Sequence, residues 1–225
     1  NPDGTTRAPR PEESVKIEPG LLAPRNGKYV LKLAEPMDEL LYLDRIRLDV
    51  IDHPGDVVVF PDERFATADP PPTQARLVFR EDECYFATKA TDHRGQDVTH
   101  LLRHRDGRHV DGFAVRSWLG FAEEHFVELR LPAELKGLPA GRKLYLVLAG
   151  WTDYAFPESI YAAIQAGVPP LWPVLEQQQP DGTWKQLGEI GLPAGLSRVM
   201  TTDITGWLDP TGGPIRIRTN LRIYW

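Results

Sequence analysis

The sequence is poor in cysteine, since Cys84 is its only one in 225 residues. One thiol excludes an intramolecular disulfide framework and any metal site built from cysteines alone. No apolar run approaches the roughly 20 residues of a membrane-spanning helix, and no signal peptide is visible. Basic residues are not in excess either, because the formal net charge is −6. We therefore expect no nucleic-acid partner and no membrane insertion.

The motifs of common catalytic and metal sites are also missing. There is no G-x-S-x-G elbow, no D-x-D-x-D-G calcium loop and no repeat with a propeller or solenoid period. Cys84 precedes Tyr85 in a predicted strand, where a buried and inert thiol is expected. The sequence thus predicts no catalytic residue, no bound metal and no cofactor.

Strict alternation is what the sequence does have, and it is clearest at 215–225. Five apolar residues and one threonine share one parity: Ile215, Ile217, Thr219, Leu221, Ile223 and Trp225. The other parity carries Arg216, Arg218, Asn220, Arg222 and Tyr224. This period of two predicts a half-buried strand in an antiparallel sheet. The outward row is interpreted either as a surface for an anion or carbohydrate, or as a solvated face paired with Asp203 and Glu189.

Similar short segments recur along the chain, separated by turn residues. The predicted strands are Tyr29–Leu33, Leu41–Ile51 with a bulge near Asp44, Val57–Phe60, Arg76–Phe79, Tyr85–Lys89, Phe126–Leu131, Leu144–Ala149, Trp172–Glu176, Thr183–Leu187, Arg198–Thr202 and 215–225. Short helices are predicted from the Asp97 cap through His104, and over Ser159–Ala166 closed by Gly167. The pattern predicts an all-β antiparallel β-sandwich, of the jelly-roll or galactose-binding-like kind, with a few short helices.

The two ends of the chain suggest its organisation. Residues 1–24 contain five prolines and little periodicity, so we expect a linker or extended lead-in. The sandwich domain is predicted over 25–225, beginning at the Asn26-Gly27 turn. The irregular stretch Asp92–Arg116 either decorates this one domain or connects two smaller sandwiches. Because the chain starts without methionine and its last strand reaches the final residue, we expect a segment of a longer protein.

An aromatic loop after the strand Leu144–Ala149 is the predicted ligand site. It holds aromatic rings among carboxylates: Trp151, Asp153, Tyr154, Glu158, Tyr161 and Trp172. The apolar face of a sugar stacks on such rings while carboxylates bind its hydroxyls, and Arg218 is predicted to fix a further hydroxyl. The alternative is that the rings close one end of the core.

Two other clusters contain residue types that bind metals or catalyse glycoside hydrolysis. His93, His100, His104 and His109 lie among aspartates, and His100 and His104 would share a helix face. Five arginines in the same stretch would repel a cation, so a polar loop is favoured. For glycoside hydrolysis the local carboxylate pairs are Asp153 with Glu158 and Glu123 with Glu124, whose separations the sequence does not give.

Several phrases of the sequence resemble a known bacterial family. They are LVLAGWTDYAFPESIYAAIQAG, DGTWKQLGEIGLPAGLSRVMTTDITGWL, RIRTNLRIYW, LYLDRIRLDVIDHP, VVVFPDERF and ATDHRGQDVTHLLRHRDGR. Together they are similar to the C-terminal region of FG-GAP/tetratricopeptide-repeat proteins of the ASPIC/UnbV type, over roughly Gly27 to Trp225. The resemblance implies a position after an FG-GAP propeller and a surface or secreted location. It implies no catalytic residue.

The sequence therefore favours a non-catalytic accessory module of a larger exported, extracellular or cell-surface bacterial protein, with carbohydrate as its ligand. A structural or assembly domain that packs against a missing propeller, or another protein partner, is the alternative. A polysaccharide-active enzyme is the third hypothesis.

Overall fold

A computed structural model describes residues 24–31, 52–60, 77–104, 106–137, 141–193 and 195–225. Most regular structure in these ranges is β-strand, with one α-helix. The strands are β1 Val57–Phe60, β2 Leu77–Arg80, β3 Lys89–Asp92, β4 Phe121–Arg130, β5 Tyr145–Thr152, β6 Val174–Gln178, β7 Trp184–Glu189, β8 Gly195–Asp203, β9 Ile215–Leu221 and β10 Ile223–Tyr224, and the helix is α1 Pro157–Gln165. No helix in the described ranges is long and apolar enough to cross a bilayer.

The strands form three antiparallel sheets. The largest has the order β3-β4-β9-β6-β7, a second has the order β10-β5-β8, and β1 pairs with β2. This mostly β architecture is sandwich-like and confirms the predicted all-β class.

The alternating segment 215–225 supplies the centre of the fold. All six residues of its apolar parity are buried, as predicted: Ile215, Ile217, Thr219, Leu221, Ile223 and Trp225. The segment is two strands and not one, however, because pairing breaks at Arg222. β9 lies in the five-stranded sheet and β10 pairs with β5 in the other. A strand that switches sheets is a known way to join the layers of a sandwich.

One hydrophobic cluster connects these elements. It includes Phe121 of β4, Leu175 of β6, Met200 of β8 and Ala163 of α1. Val98 and Val110, from the irregular stretch Asp92–Arg116, belong to the same cluster. That stretch therefore contributes apolar side chains to the same core as the strands.

Several local predictions are confirmed. α1 starts two residues earlier than predicted, with Pro157 in its first turn, and ends before Gly167, whose φ is +77°. β6 and β7 form the predicted hairpin, with Gly182 at φ +84° in the turn. The Asn26-Gly27 pair is a turn in which both φ angles are positive, at 53° and 72°, which suits the type I′ geometry.

Two predictions within the stretch 85–104 are wrong. The segment predicted as the strand Tyr85–Lys89 is mostly irregular, and the strand β3 begins only at Lys89, where Ala90 and Asp92 can point inward. The helix predicted through His104 is only a 3-10 turn at Thr99–Leu101. Thr99 Oγ1 accepts a bond from the Ala90 amide at 2.8 Å, which ties this segment to β3. The N-cap position of this turn is occupied by Val98 and not by the predicted Asp97, whose carboxylate accepts a hydrogen bond from the Thr99 amide.

The strand predicted at Leu41–Ile51 lies outside the described residues, and so does the lead-in up to residue 23. Tyr29–Leu31 are described, and they are exposed and not in a strand.

Candidate functional site

The aromatic loop runs from the end of β5 through α1 to Trp172 and Pro173, which directly precede β6. Its first part is held by Arg222, the residue at which the chain changes sheets. The Arg222 guanidinium forms an ion pair with Asp153, and the Asp153 amide donates to the Arg222 carbonyl at 3.0 Å. The Arg222 amide in turn donates to the Gly120 carbonyl at 2.8 Å. Asp153 is therefore a neutralised, structural carboxylate.

The last part of the loop is held by β9. Asn220 accepts a hydrogen bond from the Leu171 amide at 2.7 Å and donates one to the Pro169 carbonyl at 2.9 Å. Thr219 Oγ1 donates to the Leu171 carbonyl at 2.8 Å. Both polar side chains are buried, so these bonds fix the backbone that carries Trp172.

Three polar aromatic side chains of this loop are exposed, and we call them the aromatic platform. The exposed fractions are 44% for Tyr154, 65% for Tyr161 and 41% for Trp172. Phe156 and Ile164 are exposed in the same region. The three platform rings lie on a loop whose backbone is held at both ends. Because they are exposed, they do not close the core.

Trp151 differs from the platform because it is an interior ring. It is half-buried, and its ring lies parallel to that of Tyr224, with centroids 4.0 Å apart and planes 5° apart. His109 contacts it edge-on at 6.3 Å. One face of the indole is thus covered by protein, as the core-closing interpretation expected for this residue.

The outward face of α1 combines a ring with hydrogen-bonding groups. Glu158, Tyr161 and Gln165 are all exposed. Their spacing of three and four residues puts them on one helix face, with rises of about 4.5 and 6 Å between them. Opposite them, Ala163 packs into the core. A ligand lying on Tyr161 would therefore have a carboxylate on one side and a carboxamide on the other.

Arg218 lies elsewhere, in an ion-pair network on the five-stranded sheet. Its guanidinium donates to Glu176 at 2.8 Å and to Glu124 at 3.0 Å, while Arg216 donates to the second Glu176 oxygen at 2.5 Å. The partners Asp203 and Glu189 predicted for this row are wrong, because β9 has β4 and β6 as its neighbours. The Arg218 guanidinium is occupied by carboxylates.

Glu176 is the centre of this network and is only 4% exposed. Burial alone would raise its pKa, but the hydrogen bonds from Arg218 and Arg216 outweigh burial and lower the pKa below its ordinary value. The Arg216 guanidinium also lies 4.2 Å from the ring centroid of Trp184 and 4.9 Å from that of Phe126. The predicted outward row is thus a paired and half-covered surface.

Of the four histidines weighed as a metal cluster, His93 has the closest polar contacts. His93 Nε2 lies 3.1 Å from Glu123 Oε1, which also accepts from the Ala114 amide at 2.8 Å and from Arg94 at 3.1 Å. His100 and His104 share no helix, and within the described ranges no group of three or more His, Cys, Asp or Glu side chains is placed to hold a metal ion.

His125 lies beside this group and is buried. Its ring stacks on Phe113 with centroids 4.3 Å apart, and Nδ1 lies 2.9 Å from the Glu123 carbonyl oxygen. Burial lowers its pKa below the ordinary value. The ring is therefore a neutral packing element at neutral pH.

The carboxylate pair Glu123 and Glu124 does not suit glycoside hydrolysis. The two side chains have separate partners, because Glu123 contacts His93 and Arg94 whereas Glu124 pairs with Arg218. The Ala114 amide, Arg94 and His93 together lower the pKa of Glu123 to about 2. A general acid needs the opposite shift, toward neutral pH.

The sequence shows that the rings share one loop, but it does not show which residues hold that loop in place. Arg222, Tyr224, Thr219 and Asn220 are about 50 to 70 residues away in sequence from the loop groups they contact. The row containing them was recognised, but only the sheet pairing shows which residues meet.

The chain matches no protein-family model, no curated protein and no solved structure. The arrangement of these side chains is therefore the basis for a functional proposal.

Proposed function

We propose that the chain is a non-catalytic β-sandwich module that binds carbohydrate on its aromatic platform. One observation carries the proposal: Tyr154, Tyr161 and Trp172 are each more than 40% exposed on a loop whose ends are held by hydrogen bonds to Asn220 and by the Arg222–Asp153 ion pair. Exposed rings with polar tips are the usual stacking surface for a pyranose, and a fixed backbone reduces the entropy lost on binding.

Polar groups beside the rings support carbohydrate over a purely apolar ligand. Glu158 and Gln165 flank Tyr161 on the exposed face of α1. The carboxylate accepts hydrogen bonds from sugar hydroxyls, and the carboxamide both donates and accepts. Asp153 and Trp151 support the site indirectly in this proposal, by holding the loop, and Arg218 does not contact the ligand.

The wider setting follows from the resemblance to the region after the propeller in FG-GAP proteins. On that basis we place the module in a larger exported bacterial protein, with a jelly-roll or galactose-binding-like arrangement of strands. Fractionation of cells that produce the full protein tests this part. Recovery from the cytoplasm alone would contradict export.

A pull-down on insoluble polysaccharides tests the binding function. The probes are cellulose, chitin, xylan, mannan and starch, with released reducing sugar measured in parallel. Trp172→Ala and Tyr161→Ala should each abolish retention of a folded protein. Tyr85→Ala is the matched control, because Tyr85 is 45% exposed and lies outside the loop. Its retention should equal that of the unmodified chain.

Each other outcome of this experiment has a defined meaning. Loss of retention in Tyr85→Ala as well would indicate nonspecific adsorption and contradict the platform. Release of reducing sugar would replace the module with a polysaccharide-active enzyme. No retention on any glycan would contradict carbohydrate binding.

A second candidate function is assembly with the rest of a longer protein. The observation that favours it is the exposure of Phe156 and Ile164, whose side chains have no hydrogen-bonding group and belong to the same loop as the platform. An interface would bury such groups. Copurification of the chain with a separately produced propeller region, lost in Phe156→Ser and Ile164→Ser, would establish it. Glycan retention lost in the same variants would assign these residues to the platform.

A further inference from the structure

Glu158 differs from the other carboxylates that the structure holds near the loop. Asp153 is paired with Arg222, and Glu176 and Glu124 are paired with arginines of β9. Glu158 is exposed, and no described residue forms an ion pair or hydrogen bond with its side-chain carboxylate. Within the part of the chain that the structure describes, the Glu158 carboxylate therefore faces solvent without an ionic partner.

The sequence around Glu158 contains no compensating cation. Residues 150–173 include two carboxylates, Asp153 and Glu158, and no lysine, arginine or histidine. Since Asp153 is paired with Arg222, Glu158 is the one carboxylate of 150–173 that no described residue pairs with, and it lies one helical turn from Tyr161.

An ionised carboxylate restricts the chemistry of what it faces, because it only accepts hydrogen bonds. The hydroxyls of a neutral sugar can donate to it. A uronate or sulfate offers further acceptors with negative charge, which the carboxylate repels. The Gln165 carboxamide, on the other side of Tyr161, can hydrogen-bond to either a hydroxyl or an anionic group.

We infer that Glu158 determines specificity at the platform and makes it select neutral glycans against anionic ones. The inference rests on the proposed carbohydrate function and adds the class of ligand. Repulsion across a short distance in a solvated site corresponds to about fivefold in affinity at low ionic strength, and salt should reduce it.

The test compares a neutral glycan with its own anionic derivative. Whichever of xylan, mannan or starch binds the chain is dissolved and partly carboxymethylated. The neutral and the carboxymethylated forms are then titrated against the unmodified chain and two variants. The unmodified chain should bind the neutral form about fivefold more tightly in about 20 mM salt, an ionic strength low enough to leave the repulsion weakly screened. Glu158→Gln should bring the ratio of the two affinities close to one. Gln165→Glu should increase the ratio, because it adds a second carboxylate beside Tyr161.

The outcomes separate the specificity from the binding function. Equal affinity for both forms in the unmodified chain, or an unchanged ratio in a folded Glu158→Gln, overturns the role of Glu158 while leaving carbohydrate binding in place. Tighter binding of the carboxymethylated form also overturns it. If neither form binds, the proposed function fails and the inference fails with it.

Discussion

Trp151 of β5 lies flat against Tyr224 of β10, with ring centroids 4.0 Å apart and planes 5° apart. Tyr224 also packs against Phe113, with ring centroids 5.1 Å apart. The Trp151 indole therefore belongs to a row of packed rings. Trp172, in the same loop region, is exposed. The two tryptophans of the predicted site therefore have different roles, one in packing and one in the proposed binding.

Substitution of the two tryptophans should separate these roles. Trp151→Ala should lower the free energy of unfolding by about 3 kcal/mol, because it removes a large packed ring. Trp172→Ala should change it by less than about 0.5 kcal/mol. Urea titration followed by circular dichroism measures both. Equal destabilisation by the two substitutions would show that Trp172 is also a packing residue.

Removal of the Glu176 carboxylate should be costly. Glu176→Gln leaves Arg216 and Arg218 half-buried without their shared counter-ion, and breaking a buried pair in this way costs about 3–5 kcal/mol. Glu124→Gln is the matched control, because Glu124 pairs with the same Arg218 but its side chain is 60% exposed. It should cost less than about 1 kcal/mol in the same urea titration. A small effect of Glu176→Gln would mean that solvent replaces the carboxylate.

Acid should weaken the fold through Glu123. Its pKa is about 2 in the folded chain against an ordinary 4.5, mainly because of the Ala114 amide and Arg94. A depressed folded pKa means that the stabilisation is complete above pH 4.5 and is lost as the pH falls from there toward 2. Urea midpoints measured between pH 6 and pH 2 should therefore fall less steeply in Glu123→Gln. Parallel pH profiles for the two proteins would contradict this role.

Gly120 should not tolerate a larger residue, because the loop backbone at Ala155 packs directly against it. Its φ is +80°, and a Cβ there would stand 2.2 Å from the Ala155 amide nitrogen. Gly120→Ala should cost about 3 kcal/mol or more, from backbone strain together with the clash. Gly182→Ala has a similar φ of +84° but open space around it, so about 1–2 kcal/mol is expected.

Thermal unfolding measures both glycine variants, and glycan retention reports on the loop. Because Ala155 lies between Tyr154 and Phe156, any folded Gly120→Ala should also lose retention, whereas Gly182→Ala should keep it. Similar stability losses for both variants would show that the loop moves aside freely.

The all-β class, the hairpin at Asp181-Gly182 and the helix before Gly167 could be predicted because each depends on local pattern. Alternation at 215–225 identified six of the seven buried residues and missed Asn220, and it could not reveal the break at Arg222. The same parity satisfies both sheets, so a change of sheet leaves no trace in the pattern. The segment Tyr85–Lys89 was mispredicted because aromatic residues favour strands, whereas pairing with β4 places the strand at Lys89–Asp92.

For the candidate site, only the grouping of its residue types in one loop could be predicted from the sequence. The loop's rings and carboxylates are contiguous in the sequence, so their association was visible. Whether a ring faces solvent depends on distant partners, and Tyr224 covers Trp151 from 73 residues further along the chain, the difference between their sequence positions. The same limitation applies to Arg218, whose partner Glu176 is known only once β6 is placed beside β9.

The passage of the chain from β9 into β10 has a mechanical consequence. Residues on either side of Arg222 belong to different layers, so a force that pulls the layers apart acts on covalent backbone at that residue and not only on side-chain contacts. Asp153, which is paired with Arg222, carries the proposed binding loop at the same junction. A load applied through a bound ligand would thus enter the molecule beside the shortest covalent connection between the two sheets.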